Sequence, residues 1–245
     1  HTGGNDSPRP ASQRAAALVL TVAMLTTLAA PAFAKTWCIE DGDITVKAGE
    51  TGNNVTQNNV TTENDHDTII TNREDKASSN TVTIEANGKD DKVEVTLDNV
   101  NIKAKTDSGS ALTSKGDVTL TLKGDNHLTG GNGSSSGIVS HFGSSGISGS
   151  GSLTITGGEN DSLTAQGGSG NGDIYGGNGI TSSGSLTISG GTVTATGGNS
   201  TDSVGSGGSG IYSVSGDVTI SGGSTVTANG GSGTISGGSG IYSVS

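Results

Sequence analysis

The pentapeptide Gly151-Ser-Leu-Thr-Ile155 recurs as Gly184-Ser-Leu-Thr-Ile188 and, with Asp and Val in it, as Gly116-Asp-Val-Thr-Leu120 and Gly216-Asp-Val-Thr-Ile220. The four copies begin 35, 33 and 32 residues apart. Self-similarity at such a period is typical of a stacked repeat. Within each copy apolar residues alternate with Thr, and this period of two indicates a strand with one buried face.

Each repeat contains three short strand-like pieces separated by glycine-rich corners. The first is Leu153–Ile155, the second is Leu163–Ala165, loosely matched by Leu128-Thr129-Gly130, and the third is a Gly-Ile pair. Glycine accepts the positive φ that sharp corners need. Three strands and three corners in about 32 residues predict an all-β fold, a parallel β-helix with coils about 4.8 Å apart. A β-sandwich or a propeller explains the near-constant interval less well.

Stacked coils place equivalent residues above one another, so the repeat predicts ladders of like side chains. The predicted inward ladders are Leu153, Leu186 and Val218; Leu163, Val193 and Val226; and Ile180, Ile211 and Ile241. Ile138 is matched to the last three as the Gly-Ile piece of an earlier repeat. The predicted outward ladders are Thr119, Thr154, Thr187 and Thr219; and Thr164, Thr194 and Thr227.

Composition and charge exclude several classes of partner. The chain contains 44 glycines among 245 residues and only 2% aromatic residues, which favours a thin core over a conventional globular one. The net charge is −11, and no Lys or Arg follows Lys123. Such a surface repels phosphate backbones and anionic lipids, so neither nucleic acid nor an anionic membrane is expected as a partner.

The first 34 residues have the pattern of an export signal. Arg9 and Arg14 precede an apolar run, and Ala32-Phe33-Ala34 follows as a small-x-small cleavage site. This order predicts a secretory signal peptide over residues 1–34, with a membrane anchor as the alternative. The apolar run is short and interrupted by Thr and Pro, so we expect cleavage, secretion and no membrane insertion afterwards.

The remaining chain divides into a part with irregular strands and a part with regular repeats. Residues 35–92 are rich in charge and Asn and predict an N-terminal cap with irregular first coils, because a solenoid must cover its first apolar coil. The regular β-helix repeats are expected over residues 93–245. Gly237–Ser245 copies Gly207–Ser215, so we expect the stack to stop in mid-repeat, with cell-wall attachment through a later segment left open.

A family resemblance appears at Val95-Thr-Leu-Asp-Asn-Val-Asn-Ile102, at Gly116-Asp-Val-Thr-Leu-Thr-Leu122 and in the Gly-Ser-Leu-Thr-Ile repeats. Over residues 40–245 the chain resembles the secreted "carbohydrate-binding domain-containing" β-helix proteins of clostridia and related gut bacteria. The resemblance implies a right-handed parallel β-helix that is exported and binds plant or host polysaccharide. It carries no ligand motif that can be placed residue by residue.

Two stretches raise the question of a metal. Asp65-His66-Asp67 is the densest group of metal-ligand types, but alternation along a strand would separate its side chains, and we interpret it as a solvated polar loop. Gly167–Gly179 resembles the calcium-binding nonapeptide of repeat toxins, with Asp173 one residue late. Corner glycines explain the second stretch, and calcium is kept as its alternative ligand.

Candidate catalytic groups are sparse. A hydrolase would need paired carboxylates across a groove, whereas Asp90-Asp91 lie between two lysines and Glu159 and Asp161 fall in a corner. A lyase acting on uronates would need cations, which are absent past Lys123. The sequence therefore predicts a non-catalytic protein, with a polysaccharide lyase or glycoside hydrolase of the same fold as the alternative.

Aromatic side chains supply the candidate binding site. Tyr212 and Tyr242 occupy equivalent repeat positions next to an inward Ile, so they should face outward, one above the other. Aromatic rings that stack on sugar faces are usual in carbohydrate binding. An equally good interpretation is that the two tyrosines are rigid surface side chains that pack beside small residues. Tyr175 is included as a third contact, although the repeat assigns it no ladder. We therefore expect a secreted or cell-surface scaffold that binds polysaccharide, with a structural adhesin stalk as a further alternative.

Overall fold

The structure is a computed structural model that describes residues 33–136, 139–171, 175–201 and 203–244. The signal-peptide prediction rests largely on residues 1–32, which lie outside the described residues, while Phe33 and Ala34 begin the first strand. A short 3-10 helix covers Ile39–Asp41. The strands are β1 (Phe33–Cys38), β2 (Ile44–Ala48), β3 (Asn53–Gln57), β4 (Val60–Thr71), β5 (Val82–Glu85), β6 (Lys92–Asp98), β7 (Asn101–Lys103), β8 (Leu112–Lys115), β9 (Asp117–Lys123), β10 (Asp125–Thr129), β11 (Ser135–Ser136), β12 (Val139–Ser140), β13 (Ile147–Ser150), β14 (Leu153–Gly157), β15 (Ser162–Gln166), β16 (Ile180–Ser182), β17 (Leu186–Ile188), β18 (Thr192–Thr196), β19 (Ile211–Ser213), β20 (Val218–Ile220), β21 (Thr225–Asn229) and β22 (Ile241–Ser243).

The strands stack into a parallel β-helix of about six turns, as the repeat predicts. Three faces run along the solenoid, and successive strands within each face are parallel neighbours. The first face stacks β4, β6, β9, β14, β17 and β20; the second stacks β7, β10, β15, β18 and β21; the third stacks β2, β5, β8, β13, β16, β19 and β22.

The predicted ladders are confirmed in register. Leu153 pairs with Leu186, Leu163 with Val193, and Ile180 with Ile211, and the next coil continues each ladder. These inward side chains are at most 1% exposed except in the last coil. The Thr ladders also stack, with Thr154 on Thr187 and Thr164 on Thr194. Burying one apolar side chain per strand position supplies the stabilising term of a core one side chain thick.

Two matches of strand pieces in the earlier repeat are wrong. Ile147, not Ile138, continues the third ladder, because Ile147 pairs with Ile180. Ile138 lies outside the described residues. Leu128 pairs with Ala165, so Asn126 occupies the position of Leu163. Asn126 is fully buried, and its Oδ1 accepts a hydrogen bond from the Val100 backbone N–H at 2.9 Å. This hydrogen bond compensates the burial of an amide in an apolar ladder.

The N-terminal end is closed by antiparallel strands. β3 pairs antiparallel with both β2 and β4 and so joins the third face to the first. β1 lies parallel to β4 and brings Trp37 into the core, where it is 4% exposed. The Trp37 indole N–H donates to Asp65 Oδ2 at 2.8 Å, and the ammonium of Lys35 lies 3.8 Å from the ring centroid.

The interpretation of Asp65-His66-Asp67 as a solvated loop is wrong, because the triplet lies in a strand and Asp65 is buried. All three residues lie in β4, where a shift in pairing with β1 breaks the alternation of buried and exposed side chains. Asp65 is fully buried, whereas His66 and Asp67 are exposed. Asp65 also accepts the Lys35 backbone N–H at 3.2 Å, so its carboxylate fastens β1 to the cap.

Glycine pairs bring the chain together between the second and third faces. After β15 the outgoing pair Gly167-Gly168 meets the returning pair Gly176-Gly177, and the Gly177 N–H donates to Gly168 O at 2.8 Å. Gly198 of the next coil donates to Gly177 O at 2.7 Å, so the pairs of successive coils form one hydrogen-bonded stack. We call this stack the glycine neck. Its first coil contributes Gly130-Gly131 and Gly143-Ser144, and the later pairs are Gly167-Gly168, Gly176-Gly177, Gly197-Gly198, Gly207-Gly208, Gly230-Gly231 and Gly237-Gly238.

Close backbone approach explains the choice of glycine in the neck. A Cβ on Gly177 would overlap the carbonyl oxygen of Ser144, and one on Gly208 would overlap that of Gly177. Only a residue without a side chain lets two backbones approach so closely. Between the outgoing and returning residues of the neck the sequence has 11, 7, 8 and 5 residues in successive coils, at 132–142, 169–175, 199–206 and 232–236. The strands on the core side keep their register in spite of these different lengths.

Candidate functional site

A groove of about 730 Å³ lies where the chain returns through the glycine neck to the third face. It extends over four successive coils and is open to solvent. Four of the six aromatic residues of the chain line it, and these are Phe142, Tyr175, Tyr212 and Tyr242. We call it the aromatic groove. In a chain so poor in aromatic residues, this concentration marks the groove as the leading candidate site.

The floor of the groove is made of backbone and small side chains. In each coil the returning limb has a residue with a hydroxyl or amide and then a glycine before the strand of the third face, and in the last three coils a glycine also precedes the polar residue. The limbs stack in register, since Gly146 donates to Asn178 O at 3.1 Å and Gly179 donates to Ser209 O at 2.9 Å. The floor therefore offers one polar side chain per coil, and these are Ser145, Asn178, Ser209 and Ser239.

One wall rises from the ends of the loops. Phe142 and Tyr175 each directly precede a returning neck residue, and the hydrogen bond from Gly143 N–H to Tyr175 O shows that their coils are adjacent. The ring centroids lie 5.5 Å apart with the planes inclined by 55°. Phe142 is 60% exposed and Tyr175 is 53% exposed, so both rings present apolar surface to solvent. This arrangement is a favourable aromatic contact that leaves ring faces free.

The other wall belongs to the third face. Tyr212 in β19 pairs with Tyr242 in β22, and their rings are stacked with centroids 5.4 Å apart and planes within 3° of parallel. The Tyr-over-Tyr arrangement predicted from the repeat is thus confirmed as geometry. In the two preceding coils the same outward row holds Thr181 and Ser148, so the tyrosines form a flat aromatic strip in the last two coils only.

Sequence reasoning found three of the four rings and missed Phe142. Tyr175 was expected without a ladder, and the structure places it in the same groove as Tyr212 and Tyr242. Phe142 precedes Gly143 as Tyr175 precedes Gly176, and this shared position was the available signal. It was hidden because the loops before the two residues differ in length.

The groove has no strongly charged lining. Among the described residues that line it, the tyrosine hydroxyls are the ionisable groups. The described groups with displaced pKa values lie elsewhere on the surface. The hydrogen bond to Asp41 raises the pKa of Arg73, and that to Asp98 raises the pKa of Lys123. The hydrogen bonds from Asn87 and Lys47 lower the pKa of Glu85.

The acidic residues weighed for catalysis hold corners of the chain. Asp161 accepts the backbone N–H of Gly124 at 2.9 Å and that of Gly158 at 2.8 Å. Asp91 accepts the backbone N–H of Gly88 at 2.7 Å, as expected for a turn. A carboxylate engaged with two backbone donors serves local structure, and neither residue lines the aromatic groove.

The metal candidates remain without a described ligand set. No group of three or more His, Cys, Asp and Glu side chains in the described part of the chain is arranged to hold a metal ion. Asp173, on which the calcium alternative depends, lies outside the described residues. Cys38 is a free, half-buried cysteine in β1.

Comparison with known proteins assigns no family to this chain. No family model, curated protein or solved structure matches this chain. Within the described residues, no helix has the length and apolar character needed to cross a membrane. The proposed function therefore depends on the chemistry of the aromatic groove.

Proposed function

We propose that the protein is a secreted or surface-displayed, non-catalytic β-helix scaffold that binds polysaccharide in the aromatic groove. The observation that supports this most directly is the set of four rings on two walls above a floor of glycine. Pyranose rings have apolar faces that stack on aromatic side chains and hydroxyls that need polar partners. The groove supplies both, because each coil adds one hydroxyl or amide to the floor.

Two further points support the proposal. The resemblance of the repeats to clostridial carbohydrate-binding β-helix proteins and the export-like segment at residues 1–34 agree with a ligand outside the cell. The uncharged lining agrees with binding without catalysis, because general acid–base chemistry on a glycosidic bond needs carboxylates at the bond.

The double substitution Tyr212→Ala with Tyr242→Ala tests the proposal. We expect the full chain to bind at least one polymer in a screen of soluble glycans and insoluble polysaccharides. The double variant should lose about tenfold or more in affinity, because it removes the stacked strip of one wall. Pull-down on insoluble polymers and calorimetry with soluble ones measure the change.

A matched control comes from the first face. Thr154→Ala with Thr187→Ala removes two stacked outward side chains of the same solenoid and should leave binding unchanged. Loss of binding in this control and not in the tyrosine variant would move the site to the Thr ladder. Absence of binding to every polymer would reject the proposal, and release of reducing or unsaturated sugars would replace it with an enzyme.

A further inference from the structure

The four rings of the aromatic groove follow the axis of the solenoid. Phe142 and Tyr175 belong to two adjacent coils, as the Gly143 to Tyr175 hydrogen bond shows, and Gly176 N–H continues the same row by donating to Ser206 O at 2.9 Å. Tyr212 lies in the coil of Ser206, and Tyr242 lies in the coil after it. The rings therefore occupy four consecutive coils, two on each wall. With coils about 4.8 Å apart, they span roughly 14 Å along the axis.

The polar groups of the floor have the same spacing. Ser145, Asn178, Ser209 and Ser239 come from the same four coils and stack in register. Asn178 accepts the Ser209 backbone N–H at 2.8 Å and donates to Thr181 Oγ1 at 3.0 Å, so its amide is held in one orientation. A floor whose polar groups repeat at the coil spacing fits a ligand that repeats at about the same spacing, as a chain of pyranose units does.

Charge restricts the ligand further. Among the described residues that line the groove there is no Lys, Arg, Asp or Glu. No Lys or Arg follows Lys123 anywhere in the chain. Carboxylate and sulfate groups are bound in proteins mainly by cations and by clusters of directed N–H donors. The net charge of −11 adds long-range repulsion. An acidic glycan would therefore lose hydration in the groove without gaining a counter-charge.

We infer that the aromatic groove binds an uncharged glycan chain lying parallel to the solenoid axis, with roughly three to four sugar units in contact. This inference rests on the proposed function and names its ligand class and orientation. The floor keeps its shape because a Cβ at Gly208 or Gly238 would overlap the backbone of the preceding neck pair, so both lining positions stay glycine. The tyrosine wall contacts one half of the ligand and the Phe142–Tyr175 wall contacts the other.

The test is calorimetry of the full chain with two matched series of oligosaccharides, each from two to six units. One series is neutral (gluco-, manno- and xylo-oligosaccharides) and the other is oligogalacturonate, all at low ionic strength, where charge effects are largest. We expect affinity in a neutral series to rise with length and level off near four units. Oligogalacturonates should bind at least about tenfold more weakly at every length.

Variants of each wall test the orientation. Tyr212→Ala with Tyr242→Ala, and separately Phe142→Ala with Tyr175→Ala, should each weaken hexasaccharide binding by about tenfold. The substituted side chains are exposed or half-buried, so the thermal transition should stay in place, which calorimetric scanning checks.

The outcomes separate this inference from the proposed function. Equal affinity for a disaccharide and a hexasaccharide, equal or tighter binding of oligogalacturonate, or full binding after loss of the Phe142–Tyr175 wall would each overturn the inference. In those three cases the proposed function stands as long as the tyrosine variant still loses binding. If no carbohydrate of either series and no polymer binds, both are rejected together.

Discussion

Gly176→Ala is expected to destabilise the protein by about 3 kcal/mol, a large effect for a single methyl group. The reason is the glycine neck, in which the added Cβ would overlap the backbone carbonyl of Gly198 from the next coil. Backbone atoms at both sides of the contact are held by hydrogen bonds, so neither can move without breaking the stack. Thermal unfolding followed by circular dichroism should show the transition lowered by roughly 10 °C.

Gly237→Ala is the matched control. Gly237 occupies the equivalent position two coils later, but the nearest atom that its Cβ would meet is Gly231 O at 3.5 Å, an ordinary van der Waals contact. This variant should stay within about 0.5 kcal/mol of the parent chain. Similar losses in both variants would show that glycine is needed there for a reason other than close backbone approach.

Asp65→Ala is the second substitution for which we expect a large loss, also of about 3 kcal/mol. Its carboxylate is fully buried and accepts the indole N–H of Trp37 and the backbone N–H of Lys35. Without it the indole N–H is left buried and unpaired, and the Lys35 backbone N–H loses its acceptor, while β1 keeps only its strand pairing with β4. Because Trp37 is the only tryptophan, its fluorescence during urea unfolding reports the cap directly.

Asp67→Ala provides the comparison within the same triplet, because Asp67 is exposed and two positions away. We expect its fluorescence transition to coincide with that of the parent chain. If Asp65→Ala unfolds at the parent's urea concentration, the buried hydrogen bonds contribute no net stability. If both variants are equally weakened, the loss comes from removal of negative charge and not from the unpaired donors.

The repeat was sufficient to predict the stacked core. Leu153, Leu186 and Val218 share a five-residue context and a nearly constant spacing, so their register could be read directly. The error at Ile138 shows the limit of this reasoning. Two Gly-Ile pairs occur close together there, and only the neck hydrogen bonds decide that Ile147 continues the third ladder.

The contacts of the cap and the place of Phe142 beside Tyr175 could not be read from the sequence, because neither follows the fixed period of the repeat. Trp37 and Asp65 are 28 positions apart in a region without a repeat, so nothing in the pattern pairs them. Phe142 and Tyr175 end loops of different length, so a fixed period does not align them. Tyr212 and Tyr242 lie in an accurate copy of one repeat and were predictable as a stacked pair.

The glycine neck also lets the surface segments vary in length while the core keeps its register. The loops beyond it differ from 5 to 11 residues, while the ladders on the core side keep their register. Insertions there lengthen a surface segment whose two ends are already fastened together, which costs little extra chain entropy. In a solenoid of this kind, insertion or deletion between the neck pairs therefore changes the surface without redesign of the interior.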